Sequence, residues 1–395
     1  MTVTGRPEHI ARIFRAGGTA YGRVDSNAAM ILGEHSLSAL EGADYLTARR
    51  RVLSAPGLRD PSRSADLYAT TTARVCDAVA DGRTVSMLEV ARSITLDANI
   101  QAIFGFVDPE ERRQFADSIH ALRRAVPVSA ILIKALRRDL GRWSPWGRFV
   151  RARSRCFALI DRRVARFRSG DGHGSACVLE HWSACRTEDG RPEMSDAEIR
   201  ENLLTLLFAG HDTTAAALAW AINWVHREPS VLLRLREELA APVAARGGPT
   251  YLDAVVSETL RLYPIAPGSI RRLKDAMTMD DVVVPAGDLV MASTDLSLAR
   301  PERYEIPWRF RPERFLQGGY KANEYLPFGG GERRCPGASM AQEAVRTMLA
   351  TILRRYDVTL RDRRPTAPKW ENGIRVPRSG VRLSLTPRGT GRQAP

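Results

Sequence analysis

Lysine is nearly absent from this chain. Only four (Lys134, Lys274, Lys321, Lys369) stand among 59 basic residues, so the formal charge of +14 is almost wholly arginine. Nucleic-acid binding would need basic residues interleaved with aromatics or a recognised module, and none appears, so no nucleic-acid partner is expected. A basic face for an acidic protein partner needs only a local patch, and arginine-rich codon usage would give the same excess. Those two readings stay open. Cysteine is also scarce. Cys76, Cys156, Cys177, Cys185 and Cys335 are odd in number and lack paired spacing, which speaks against a disulfide framework and for a reducing compartment. Cys177 and Cys185 lie near His173 and His181, but the intervals do not suit zinc, and an acidic, glycine-rich loop is the better account. No apolar run approaches the ~20 residues that span a bilayer. The opening MTVTGRPEHIARIF has no apolar signal core, so no membrane anchor and a cytoplasmic location are expected. Repeats, low-complexity tracts and Pro/Ser-rich linkers are missing too.

What remains is a globular composition, 44% hydrophobic and 26% charged over 395 residues, enough for one large domain or two ordinary ones. Helical periodicity runs through most of 65–265. Ala197–Val225 reads as a long apolar helix with Ser195 and Asp196 as N-cap candidates and Glu198 in its first turn. Residues 228–240 and 249–263 read as two more helices, the second stopped by Pro264. Residues 267–296 change to short strands around a turn. Helix returns over 338–355, followed by terminal strands at 356–361 and 380–386. The class is mainly α with a small β region, and 389–395 reads as a disordered tail.

The most informative stretch is Phe328-Gly329-Gly330-Gly331-Glu332-Arg333-Arg334-Cys335-Pro336-Gly337. Glycines let a backbone approach a flat cofactor, and nearby arginines favour a thiolate over a thiol. A buried free cysteine in a turn is the plainer alternative. Mid-helix, Ala209-Gly210-His211-Asp212-Thr213-Thr214 breaks local rules, because glycine costs about 1 kcal/mol there and hydroxyls compete for backbone carbonyls. Such a breach marks a functional site, unless it is only a polar helix face. Glu258 and Arg261 share a helical face, a pairing that alone says little.

These segments together resemble the cytochrome P-450 family. The likeness covers roughly residues 25–388, with its motifs in the family order. It implies that fold as a single haem domain over 1–388, holding haem b (iron protoporphyrin IX) with Cys335 as the iron's axial thiolate. Phe328, Gly331, Arg333 and Gly337 carry the haem-binding signature. By the same likeness, Ala209 and Gly210 leave room for dioxygen, while Asp212 and Thr213 relay protons to it. His211 is expected to point away. Glu258 and Arg261 with Arg314, in Phe310-Arg311-Pro312-Glu313-Arg314-Phe315, become a buried structural charge network. Arg333, Arg271 and Arg49 are the candidates for the haem propionates. Tyr45 stands where many relatives have histidine, and its O–H still donates to a carboxylate. The motif at 42–49 comes several tens of residues early, which implies that the first helix and part of the N-terminal sheet are missing.

The implied activity is a monooxygenase that inserts one atom of O₂ into a C–H or double bond of a lipophilic small molecule. Electrons would come from a separate ferredoxin or flavodoxin and an NAD(P)H-dependent reductase. Leu204, Phe208, Ile265, Ala266, Pro267 and Ile374 suggest an apolar pocket, and 124–170 is expected to include a lid loop. Two alternatives are a peroxide-using haem-thiolate peroxygenase and an inactive haem-binding relic.

Overall fold

Helix boundaries follow caps written in the sequence. Ser195 and Glu198 bond reciprocally, N–H to carboxylate at 2.8 Å and N–H to hydroxyl at 3.2 Å, and the helix beginning at Asp196 runs 30 residues. Thr250 and Asp253 form the same box at the start of the Tyr251–Leu262 helix, which stops before Pro264 as its ring requires. Asp108 and Ser144 cap two further helices that carry proline in the first turn.

The computed structural model describes the chain apart from residues 18–19, 23–27, 107, 127–132, 171–175, 242–249, 317–319 and 390–395. The helices in chain order are α1 (Pro7–Arg15), α2 (Ala28–Leu32), α3 (Gly42–Val52), α4 (Pro56–Arg59), α5 (Ala65–Asp77), α6 (Met87–Phe104) and α7 (Pro109–Ala125). They continue with α8 (Pro145–Arg168), α9 (Val178–Ala184), α10 (Asp196–Val225), α11 (Pro229–Ala240), α12 (Tyr251–Leu262), α13 (Thr294–Leu298) and α14 (Ala338–Arg355). The strands are β1 (Thr2–Thr4), β2 (Tyr21–Gly22), β3 (Val85–Ser86), β4 (Gly268–Leu273), β5 (Met277–Met279) and β6 (Val282–Val284). After them come β7 (Leu289–Ser293), β8 (Tyr356–Leu360), β9 (Pro368–Glu371), β10 (Ile374–Pro377) and β11 (Arg382–Pro387). Among the described residues no helix is long and apolar enough to cross a membrane.

The chain divides into two compact units. The first holds Met1–Val24, Pro61–Thr95 and Gly210–Pro395. Its largest sheet has the order β1-β7-β4-β2, with β1 parallel to β7 and the other pairs antiparallel. Ile10 and Ile13 of α1, Leu273, Met277, Val290 and Leu326 pack as its apolar core. The end of α10 stacks Trp220 on Tyr263 at 3.8 Å, and Trp224 carries the stack to Phe310. The second unit holds Asp25–Asp60 and Leu96–Ala209. There α7 packs on α8, and Phe104, Phe106 and Phe115 form an aromatic trio.

Several expectations are adjusted. The strand region after Pro267 ends at Ser293, whose hydroxyl caps Leu296 N–H at 3.3 Å and starts α13. Residues 145–168, inside the segment read as containing a lid loop, form the 24-residue α8; 127–132 of that segment lie outside the described residues. The β9–β10 hairpin was not foreseen, although Asn372-Gly373, both at positive φ, is the dipeptide a two-residue turn demands. His173 and all but the first residue of the 389–395 tail also fall outside the described residues.

The three residues of the charge network meet. Glu258 is wholly buried. Arg261 binds it through two bonds of 2.7 and 2.9 Å, and Arg314 Nε reaches it at 3.2 Å. Arg311 N–H adds a bond of 2.8 Å. Spare guanidinium hydrogens go to the carbonyls of Leu298, Glu305 and Arg309. Buried ions persist only when paired this fully, because an unmatched charge in the interior is costly. Glu258→Gln is therefore expected to destabilise the protein by about 3–5 kcal/mol, read as a lowered denaturant midpoint; an unchanged midpoint would refute the assignment.

Candidate functional site

The loop from Leu326 to Ala338 is a tight return. Gly329 N–H donates to Leu326 O and Cys335 N–H to Phe328 O, both at 3.0 Å. A 3₁₀ turn over Gly331–Arg333 sits between them, closed by Arg334 N–H on Gly331 O. Ala338 N–H then bonds Cys335 O at 3.4 Å, and α14 begins. Cys335 is thus placed at a helix start, half-exposed, with Arg333 half-buried beside it.

The glycines of this loop divide by what surrounds them. A Cβ at Gly331, whose φ is +66°, would lie 2.8 Å from the Phe14 carbonyl of α1. A Cβ at Gly330 would meet the Phe14 ring. Protein packing therefore already requires glycine at 330 and 331. Gly337 differs: a Cβ there would meet no protein atom within 4 Å. Beside the half-exposed sulfur this leaves a flank open to a flat group, the donor environment a haem with a soft thiolate ligand fits. Phe328 is half-buried at the loop's base.

Strand β4 reaches the same loop. A Cβ at Gly329 would stand 2.7 Å from Ser269 Oγ, and Arg271, two residues further along the strand, shares the face of Ser269. Arg271 Nη1 donates to its neighbour's carbonyl, Ile270 O, at 2.8 Å. The structure thus gathers Cys335, Arg333, Gly337 and the Ser269–Arg271 face in one unit.

The same unit holds the polar segment of α10. That helix is buried at 214–223, yet Asp212 and Thr213 are half-exposed, and just before them Ala209 is exposed. His211 is buried and turned to α6, with Nδ1 at 3.0 Å from Thr95 Oγ1, which also donates to His211 O. Asp212 Oδ1 accepts from Arg92 Nε at 3.0 Å. Arg92, Thr95 and Glu371, the last bonded to Arg92, were missed by sequence reasoning. No local spacing links 92, 212 and 371; only the fold does.

Of the apolar residues, Ile265, Ala266 and Pro267 come beside Ile374 through Arg375 N–H on Ile265 O at 2.9 Å. Ala266 is exposed, Pro267 and Ile374 half-exposed, and Ile265 buried. In the second unit Leu204 is fully buried and Phe208 half-buried on α10. Tyr45, also buried there, accepts a bond of 3.1 Å from Arg49 one turn along α3. Cys185 Sγ and Ser54 Oγ both approach His181 Nε2, at 3.5 and 3.0 Å. Among the described residues no group of three or more His, Cys, Asp and Glu is arranged to hold a metal.

Comparison with known proteins shows what the chain as a whole is similar to. A family model described as Cytochrome P-450 matches residues 1–385. A Mycobacterium tuberculosis protein named cytochrome P-450 137 is 34% identical over 366 residues, covering 91% of this chain and 75% of the relative. Cytochrome P-450 135B1 of Mycobacterium bovis is 31% identical, covering 98% of this chain and 82% of the relative. Among solved structures, a cyanobacterial CYP120A1 with bound retinoic acid superimposes with a TM-score of 0.80 at 22% identity, over 98% of this chain and 88% of that one. A cytochrome P-450DA haem domain does so equally at 20% identity, over 98% and 86%.

The two glycine environments predict opposite outcomes. Gly331→Ala is expected to cost about 1–3 kcal/mol through strain and overlap, whereas Gly337→Ala stays within about 0.5 kcal/mol in the haem-free protein. Equal unfolding midpoints for the two variants would contradict the packing described.

Proposed function

Because the chain belongs to the cytochrome P-450 family, whose members are haem-dependent monooxygenases, we propose that it oxygenates a lipophilic small molecule with Cys335 as its iron ligand. The observation that carries this reading is the half-exposed Cys335 at the start of α14, beside the open flank of Gly337. Bound haem supplies the activation of dioxygen, and a thiolate ligand favours O–O cleavage.

The chain's own residues supply the rest. Arg333 and Arg271 offer cationic partners to the propionates, with Arg49 and Tyr45 as the further pair. Asp212 takes up protons and passes them to the Thr213 hydroxyl, which holds the last of them at the reacting oxygen. Ala209 and Gly210 keep that stretch of helix narrow. Ile265, Ala266, Pro267 and Ile374 in the first unit give an apolar surface suited to a terpenoid, fatty acid, steroid or polyketide-like compound, and Leu204 and Phe208 are the apolar candidates of the second unit. Electrons arrive from a ferredoxin or flavodoxin served by an NAD(P)H-dependent reductase. A positioned acid and hydroxyl favour dioxygen over peroxide as oxidant, since peroxide arrives already reduced and needs no such relay.

Cys335→Ala is expected to lose the thiolate-type carbon monoxide spectrum and most bound haem; an unchanged spectrum would remove Cys335 as ligand. Thr213→Ala is expected to keep haem while product formation falls about a hundredfold, the worth of one positioned proton donor. The missing reducing equivalents should appear as hydrogen peroxide. Turnover driven by hydrogen peroxide alone, and not by dioxygen with a ferredoxin system, would instead support the peroxygenase reading.

A further inference from the structure

The loop after β8 and the turn between β10 and β11 face each other across a cleft of about 570 Å³. Its charged lining is Arg361, Asp362, Arg363, Arg364, Arg378 and Arg382. Five guanidiniums against one carboxylate leave a net charge of +4. That carboxylate is already committed. The Asp362 side chain is 10% exposed. It accepts from Ser379 Oγ at 2.7 Å, Arg382 N–H at 3.0 Å and Arg382 Nε at 2.9 Å. Burial pushes its carboxyl upward, but these bonds outweigh it and hold the group below the usual range. Asp362 thus neutralises Arg382. Among the described residues no carboxylate pairs with Arg361, Arg363, Arg364 or Arg378, all of them exposed.

The backbone that carries these four is tied down. Arg227, just past the end of α10, donates to the carbonyls of Asp362 at 2.9 Å and Arg364 at 2.6 Å. It is itself held by Asn223 Oδ1 at 3.1 Å. Arg361 N–H bonds Arg382 O at 2.8 Å and Arg378 N–H bonds Ala367 O at 2.9 Å, joining the two sides of the cleft. Buried Thr366 accepts Ser379 N–H at 3.0 Å. In the turn, Gly380 and Val381 both stand at positive φ, +70° and +58°. A β-branched residue in that region is a strained outlier, and the Asp362 bonds to Ser379 and Arg382 hold it from either side. Strain of this kind persists where the surroundings over-determine it, and it gathers at ligand sites. A backbone so fixed keeps four like charges close, a repulsion that a bound anion removes.

We propose that this cleft is a binding site for a small molecule bearing two adjacent phosphate groups. Each phosphate carries about −1.5 to −2 at pH 7, so two of them match the excess of +4 and one does not. Guanidinium forks take phosphate oxygens two at a time, and a concave wall of one sign focuses its field on the ligand. The volume is that of a small-molecule site. Among the described residues the lining carries no large apolar side chain to anchor a lipid surface. The site shares no residue with the cysteine loop and does not depend on the oxygenase reading.

Calorimetric titration of the whole haem-loaded chain with inorganic pyrophosphate tests the assignment. One equivalent should bind, about tenfold or more tighter than orthophosphate, and the affinity should fall with added salt. Arg363→Gln and Arg378→Gln, on opposite sides of the cleft, should each weaken pyrophosphate about tenfold, the worth of one charge-assisted bond. Arg191→Gln removes one exposed charge of the second unit and should leave the affinity unchanged. Neither cleft variant removes an ion pair, so both should unfold at the wild-type midpoint without ligand, while pyrophosphate raises the wild-type midpoint more than theirs. Orthophosphate bound as tightly as pyrophosphate, or equal weakening in Arg191→Gln, overturns the site, because net charge alone then explains the attraction. Binding to phosphatidylglycerol vesicles that pyrophosphate does not displace overturns it in favour of a membrane surface. Poly-glutamate bound as tightly as pyrophosphate overturns it in favour of an acidic protein.

Discussion

A carboxylate with no exposed surface must be fully paired and hydrogen-bonded, and at Glu258 two guanidiniums and a backbone N–H meet that demand. The match draws on distant segments. Arg261 comes from the same helix, while Arg311 and Arg314 come from the stretch that leads toward the cysteine loop. Spare guanidinium hydrogens then bind carbonyls between Leu298 and Arg309, so an irregular stretch with few backbone bonds of its own gains fixed points. Tyr325 Oη donates to Ser257 O and Tyr304 Oη to Glu324 O, which carries the constraint to Leu326, where the cysteine loop starts. The position of Cys335 is therefore inherited from a charge pairing well before it in sequence.

That loop answers two demands with adjacent residues. It must pack against α1, and Gly330 and Gly331 let Phe14 come close. It must also leave one flank free of protein, and Gly337 does so at the start of α14. A glycine-rich signature read as one device thus divides, part of it required by packing against α1 and part facing open space. The polar stretch of α10 shows a similar split. His211 is used up inside, bonded to Thr95, while the next two residues stay accessible.

Much of the secondary structure was legible, because caps and breakers act over a few residues. The Ser195–Glu198 and Thr250–Asp253 boxes and the stop at Pro264 lie within one helical turn of the boundaries they set. The β9–β10 hairpin was equally legible and was overlooked, since Asn372-Gly373 is a local signal. Helix α8 falls within the helical periodicity read over most of 65–265, and Ser144 and Pro145 mark its start.

By itself the sequence determined the class of fold, the helix limits, the cysteine loop and the acid–hydroxyl pair, because each is written in neighbouring residues whose chemistry is local. Only tertiary structure decided which charges neutralise one another, which glycines face protein and which face open space, and that Arg92 and Glu371 converge on Asp212. The reason is physical. Electrostatic partnership and steric room depend on distance through space, and residues 92, 212 and 371 become neighbours only after the chain has paid the entropy of closing the long loops between them.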